Sequence, residues 1–219
     1  MELFPIYESL GVSREVYRRG EAAAERLADR FQAIDQVAEY NQAKVIQAMQ
    51  AHRVGANHFA ATTGYGYDDD GRERLEKVYA SVFHTQAALV RPQITCGTHA
   101  LTVALSANLL PGDELLSPVG LPYDTLQEVI GIRPSPCSLA EYGVTYRQAD
   151  LLPDGSFDYD AIRAAINERT RLITIQRSKG YATRPSFSVR QIGELIAFCK
   201  SVKPDVLCMV DNCYGEFVD

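Results

Sequence analysis

The amino-acid sequence predicts an α/β fold, a three-layer, mainly parallel sheet preceded by a long N-terminal helix. Three observations lead there. Beyond residue 90, short apolar runs alternate with amphipathic stretches, the pattern of a parallel sheet with helices on both faces. Before that, residues 13–50 form one helical pattern in which Leu27, Phe31, Ile34 and Ala38 recur at steps of three and four. Finally, 219 residues with 46% hydrophobic and 23% charged content suit a globular chain with a substantial core.

The apolar stripe of the first helix is narrow. A helix of this kind lies across another surface, either a subunit partner or its own domain. Residues 58–71, HFAATTGYGYDDDG, then break the periodicity with three glycines and two tyrosines and read as a loop. Asp68, Asp69 and Asp70 lack the alternate spacing and distal Glu of a calcium loop. They read as a solvated turn capping a helix over 72–83, and no metal site is expected. Strands are expected at 93–96, 114–117, 144–147, 172–176 and 206–210. The helices between them are expected to run from the turn after residue 96 to 110, then over 123–131, 159–167 and 189–202. This divides the chain into an N-terminal helical segment, 1–60, and a sheet domain, 61–219.

A net charge of −6 without a long basic run indicates neither nucleic acid nor an anionic membrane as partner; a small-molecule site fits better. The N-terminus has no basic region followed by an apolar core, and no apolar stretch approaches roughly eighteen residues, so a cytoplasmic protein is expected. Five cysteines, an odd number with no C-x-x-C pair, suggest reduced thiols that are mostly buried and structural.

In a parallel sheet, ligands sit beyond the strand carboxyl ends. The residues expected there are Gly97, Thr98 and His99, then 118–123 with Tyr123, then Arg177, Ser178 and Lys179, then Asp211 and Asn212. The turn Cys96-Gly97-Thr98 opens a helix whose free N–H groups suit a single phosphate, and it equally suits an ordinary strand-to-helix turn. Asp211 follows the apolar run VLCMV, so it should be partly buried and need a cationic or hydrogen-bonding partner. A phosphate at one end, an acid at the other and an aromatic face between them describe pyridoxal phosphate, whose ring nitrogen must stay protonated. His99 contacts the cofactor or caps the helix. Lys179 and Arg177 read as contacts for a phosphate or a substrate carboxylate, or as exposed loop residues. Cys213 is attributed to packing.

The segments ATTGYGYDDDGRERLEKVY, CGTHAL, SPVGLPYDTL, IQRSKGY and VDNCYGEF, in that order, resemble the fold type I pyridoxal-phosphate enzymes. Within that group they resemble the methionine gamma-lyase-like aluminium resistance family of carbon-sulfur lyases. The resemblance implies that Gly97 and Thr98 hold the cofactor phosphate, Tyr123 stacks on the pyridine ring and Asp211 pairs with its nitrogen. Ser178 is expected at the cofactor and Arg177 and Lys179 at the substrate, with a Schiff base at Lys179 the less favoured alternative because it precedes the aspartate-bearing strand. Tyr65 and Tyr67 would reach a neighbouring subunit's phosphate in a homodimer or homotetramer. The wider superfamily has Tyr-x-Arg in that loop, whereas here Tyr65-Gly66-Tyr67 offers no arginine and Arg72 is the nearest. The family's Schiff-base lysine lies beyond the aspartate, and none follows Asp211 here. The resemblance thus implies the N-terminal portion of a lyase acting on a sulfur-containing amino acid, inactive as this chain alone. Transamination, γ-replacement or a non-catalytic dimerisation module are the alternatives.

Overall fold

The computed structural model describes residues 3–62 and 69–218. The chain divides into two compact units, Met1–Leu89 and Val90–Phe217. Helix α4 therefore belongs with the N-terminal helices, whereas patterning alone suggested a division near residue 60.

The first unit holds α1 (Phe4–Ser9), α2 (Arg14–Arg26), α3 (Ala28–Ala51), a 3-10 turn (Ala56–Phe59) and α4 (Asp70–Val82). The single helix expected over 13–50 is two. At Leu27 (φ −100°, ψ 2°) the N–H turns to the Ala24 carbonyl three residues back, at 3.1 Å, and the α ladder is interrupted. Leu27, Phe31 and Ile34 stay about half exposed, at 48%, 49% and 50%. The other end of α3 is better covered. Ala48 packs with Val78 and Val82 of α4, flanked by Val45, Met49 and Phe83.

Asp69 caps α4 as expected, accepting from the Arg72 N–H at 3.2 Å. It is not solvated, however. Only 3% exposed, its carboxylate also takes Arg72 Nε at 2.8 Å and the Thr62 hydroxyl at 3.0 Å. Burial is tolerated because the charge is matched and its oxygens are hydrogen-bonded. Arg72, the suggested stand-in for a phosphate-binding arginine, is thereby committed to its own loop. Asp70 joins Arg74 at 3.0 Å and His58 Nε2 at 2.9 Å.

The second unit is a parallel sheet in the order β2-β1-β3-β4, with β1 (Glu114–Ser117), β2 (Thr145–Gln148), β3 (Thr170–Gln176) and β4 (Leu207–Asp211). Its helices are α5 (Gly97–Ser106), α6 (Asp124–Ile130), α7 (Tyr159–Ala165) and α8 (Val189–Val202). The period of two in the strands sorts the core into two layers. Leu116, Ile173 and Ile175 face one layer, with Ile162 of α7 and Leu195 and Cys199 of α8. Leu115 and Leu172 face the other, with Leu105 of α5 and Leu126 and Ile130 of α6. Three layers result.

One expected strand is missing: residues 93–96 form no ladder. Pro92 has no N–H, Ile94 N–H closes a turn on the Arg91 carbonyl at 3.0 Å, and none of the described strands pairs with this stretch. Cys96 is extended (φ −162°, ψ 171°) and its Sγ accepts from the His99 N–H at 3.4 Å, opening α5. At the amino end of β1, Glu114 is 2% exposed. It takes Asn167 Nδ2 at 2.6 Å, the Thr170 hydroxyl at 3.0 Å and Arg147 Nε at 3.3 Å, tying β1 to both neighbours.

Candidate functional site

The opposite end of the sheet carries the candidate residues, joined by hydrogen bonds and by strand register. Thr98, in the first turn of α5, has its hydroxyl 3.0 Å from that of Thr125 in α6. Just before α6, the Tyr123 N–H donates to Gln176 Oε1 at 2.9 Å. Gln176 ends β3 and lies in register with Asp211, the last residue of β4. A path thus runs from a helix amino terminus past an aromatic ring to a carboxylate.

Each step has a local cause. A Cβ at Gly97 would meet nothing within 4 Å, so the first turn of α5 opens onto free space. The Gly97 and Thr98 N–H groups have no acceptor among the described residues, as the geometry of a helix start requires, and they can take an anion. Beyond β1, the buried Ser117 hydroxyl donates to the Gly120 carbonyl at 2.6 Å and the Gly120 N–H to the Ala149 carbonyl at 3.0 Å, which turns the chain towards Tyr123. Gly120 has φ +83°, a conformation glycine adopts without strain. Tyr123 is 38% exposed, its ring 5.9 Å from that of Tyr181 and tilted by 32°. The Asp124 carboxylate, then Tyr181, raise its phenol above the ordinary value, so the hydroxyl stays protonated at neutral pH. Asp211 is half-buried, and its Oδ1 accepts the Cys213 N–H at 3.2 Å.

Lys179 is exposed and shares a cleft of about 220 Å³ with Tyr123, Tyr181, Gln176 and Arg184, open to a carboxylate or phosphate. Ser178 is half-buried, its carbonyl taken by Gln176 Nε2 at 3.0 Å and Arg184 Nη2 at 2.6 Å. His99 turns Nδ1 back towards the Thr95 N–H at 3.3 Å, the capping alternative of its two readings; a neutral ring then carries its proton on Nε2. Arg177 departs from expectation. It is 7% exposed, with Nε donating to the Phe187 carbonyl at 3.0 Å and Nη1 to Asn212 Oδ1 at 2.8 Å and the Gly215 carbonyl at 2.7 Å. A guanidinium so engaged braces the loop. Tyr65 and Tyr67 lie outside the described residues.

Cys213 is exposed, not packed, and so are Cys96 and Cys137; Cys208 is half-buried and Cys199 buried. Gln176, Thr125 and Arg184 are contributors that motif reading passes over. The parity of β3 holds the signal for Gln176: two residues on from Thr174, it falls on the face opposite Ile173 and Ile175.

Comparison with known proteins identifies the family and the fold. The methionine gamma-lyase family matches residues 16–219. Protein YnbB of Bacillus subtilis, itself uncharacterized, is 51% identical over 188 residues, covering 85% of this chain and 45% of its own. A Clostridium novyi structure, described as a carbon-sulfur lyase involved in aluminum resistance, superposes with a TM-score of 0.92 at 40% identity, covering 98% of this chain and 52% of that one. A Clostridium acetobutylicum structure, named as a candidate cystathionine beta-lyase involved in aluminum resistance, gives a TM-score of 0.93 at 39% identity, covering 100% and 54%. The chain spans about half the length of these relatives. With the family's match running over nearly its whole length, this chain belongs to the methionine gamma-lyase family.

Proposed function

We propose that this chain supplies the cofactor-binding half-site of a pyridoxal-phosphate-dependent carbon-sulfur lyase acting on a sulfur-containing amino acid, in a homo-oligomeric enzyme. The observation that carries the reading is the contact path from the α5 amino terminus through Tyr123 and Gln176 to Asp211. The residues fit the group: free helix-start donors beside an uncluttered glycine, an aromatic ring, and a half-buried carboxylate with one oxygen already oriented.

When bound, pyridoxal phosphate supplies an electron-withdrawing ring that lets the substrate's sulfur substituent depart. The Gly97 and Thr98 N–H groups hold the phosphate with the positive end of α5. Tyr123 covers a ring face, and Asp211 keeps the proton on the ring nitrogen by charge-assisted hydrogen bonding. Lys179 meets the substrate carboxylate at the cleft.

Titration with pyridoxal phosphate and with pyridoxal tests the phosphate cradle. Pyridoxal should bind at least about ten-fold more weakly, because the charge-assisted bonds are lost. In a longer form of the chain that carries the family's Schiff-base lysine, Asp211→Ala should retain phosphate-anchored binding yet lose nearly all release of thiol from sulfur amino acids. Equal affinity for both ligands, or near-normal turnover in Asp211→Ala, would overturn the reading.

A further inference from the structure

The strongest feature the proposed chemistry leaves unused is the buried guanidinium of Arg177. Its parity explains where it lies. Two and four residues on from Ile175 and Ile173, it continues the strand face that packs on α7 and α8. There its Nε meets the Phe187 carbonyl, while the Phe187 N–H returns to the Arg177 carbonyl at 3.2 Å. The other side of the residue grips β4. The Arg177 N–H donates to the Asp211 carbonyl at 2.9 Å, and Nη1 reaches Asn212 Oδ1 and the Gly215 carbonyl.

The turn it grips is built around this contact. Gly215 N–H closes on the Asn212 carbonyl at 2.8 Å. A Cβ at residue 215 would lie 2.5 Å from Arg177 Nη1 and 2.6 Å from Asn212 Oδ1, so only glycine permits the approach. Within the turn, Cys213 N–H occupies Asp211 Oδ1, and Oδ2 has no partner among the described residues.

We propose that Arg177 is the positioning residue for Asp211: by fixing the 211–215 turn it holds Oδ1 on the Cys213 N–H and reserves Oδ2 for the protonated ring nitrogen. This rests on the proposed cofactor site, but its structural half stands alone. A lysine at 177 keeps the charge yet has no planar fork to reach Phe187, Asn212 and Gly215 together.

Two variants test it, Arg177→Lys and Gly215→Ala, the second leaving the arginine intact. Without cofactor, amide exchange at Cys213 and Gly215 should quicken at least about ten-fold in both, with Ile173 and Leu195 unchanged. With bound pyridoxal phosphate labelled with nitrogen-15 in the ring, the pH at which the ring nitrogen loses its proton should fall by about one unit in both variants. It should fall further in Asp211→Ala. Parent-like exchange at Cys213 and Gly215 in either folded variant would overturn the proposal, as would an unchanged nitrogen titration. If the parent itself binds no pyridoxal phosphate, the cofactor reading falls and the assignment of Oδ2 with it, while exchange still decides whether Arg177 holds the turn.

Discussion

Helices α2 and α8 begin alike and end up in opposite circumstances. Ser13 and Ser188 both cap their helices through the side-chain oxygen, onto Val16 N–H at 3.3 Å and Gln191 N–H at 3.2 Å, and the helices run 13 and 14 residues. Yet α2 has no buried residue, whereas α8 buries Ile192, Leu195 and Cys199 against the sheet. A cap settles where a helix starts; buried area settles whether the helix is held there.

Emptying the core beneath α8 should separate the two helices most. Leu195, 0% exposed, should cost about 2–5 kcal/mol as Leu195→Ala. Phe31→Ala, on the half-exposed stripe of α3, should stay within about 0.5 kcal/mol for the isolated chain. Urea titration of each at two protein concentrations checks both values. A loss at Phe31 that appears only at the higher concentration would locate a subunit contact on the stripe.

Next in size is Glu114. Glu114→Ala leaves the buried Thr170 hydroxyl without its acceptor and the Asn167 amide with only the Ala165 carbonyl, and should cost about 1–3 kcal/mol. Arg147→Ala, removing a partner 48% exposed, should cost under about 1 kcal/mol. Thermal melts separate them.

The caps themselves come third. Ser13→Ala and Ser188→Ala should each remove about 1 kcal/mol from their helix ends. Only α2 should show it as helix loss, since α8 keeps its buried face. Amide exchange over 14–26 and 189–202 reads the difference.

The smallest effect concerns pH. Hydrogen bonding and charge from Arg74, aided by His58, lower the Asp70 carboxyl below its ordinary 3.8. A carboxylate favoured in the folded state adds stability that is present above that ordinary value and lost as pH falls through the lowered one. Melting temperature from about pH 5 to about pH 2 should therefore fall less steeply in Asp70→Asn, and high salt should narrow the gap.

Much of this was legible from residue order because local and global preferences agree. Strand β1 and helix α8 stand at their expected limits, one an apolar run with sharp ends, the other opened by a capping box and carrying an amphipathic stripe. Residues 93–96 misled because a strand is a property of a pair, and the apolar run says nothing of its partner. Arg177 misled for a related reason. Its place after β3 suggested an open site residue, but the return of the chain to Phe187 turned that face into interior. Tyr123 and Asp211 follow strands β1 and β4 as spacing suggests, and Thr98 lies at a helix start with no strand before it among the described residues, whereas the Gln176 bridge depended on a side-chain direction that spacing encodes only through parity.

The buried thiol of Cys199 gives the molecule an internal clock. Burial in the layer beneath α8, then the neighbouring Cys208, push it up to about 12, so at pH 8 roughly one thiol in ten thousand is ionised. A thiol reagent should take the exposed Cys96 and Cys137 first, Cys213 and the half-buried Cys208 more slowly because burial raises their thiols, and then wait for Cys199. The waiting time measures how often α8 lifts from the sheet, with the chain's own sulfur as the recorder and no probe attached.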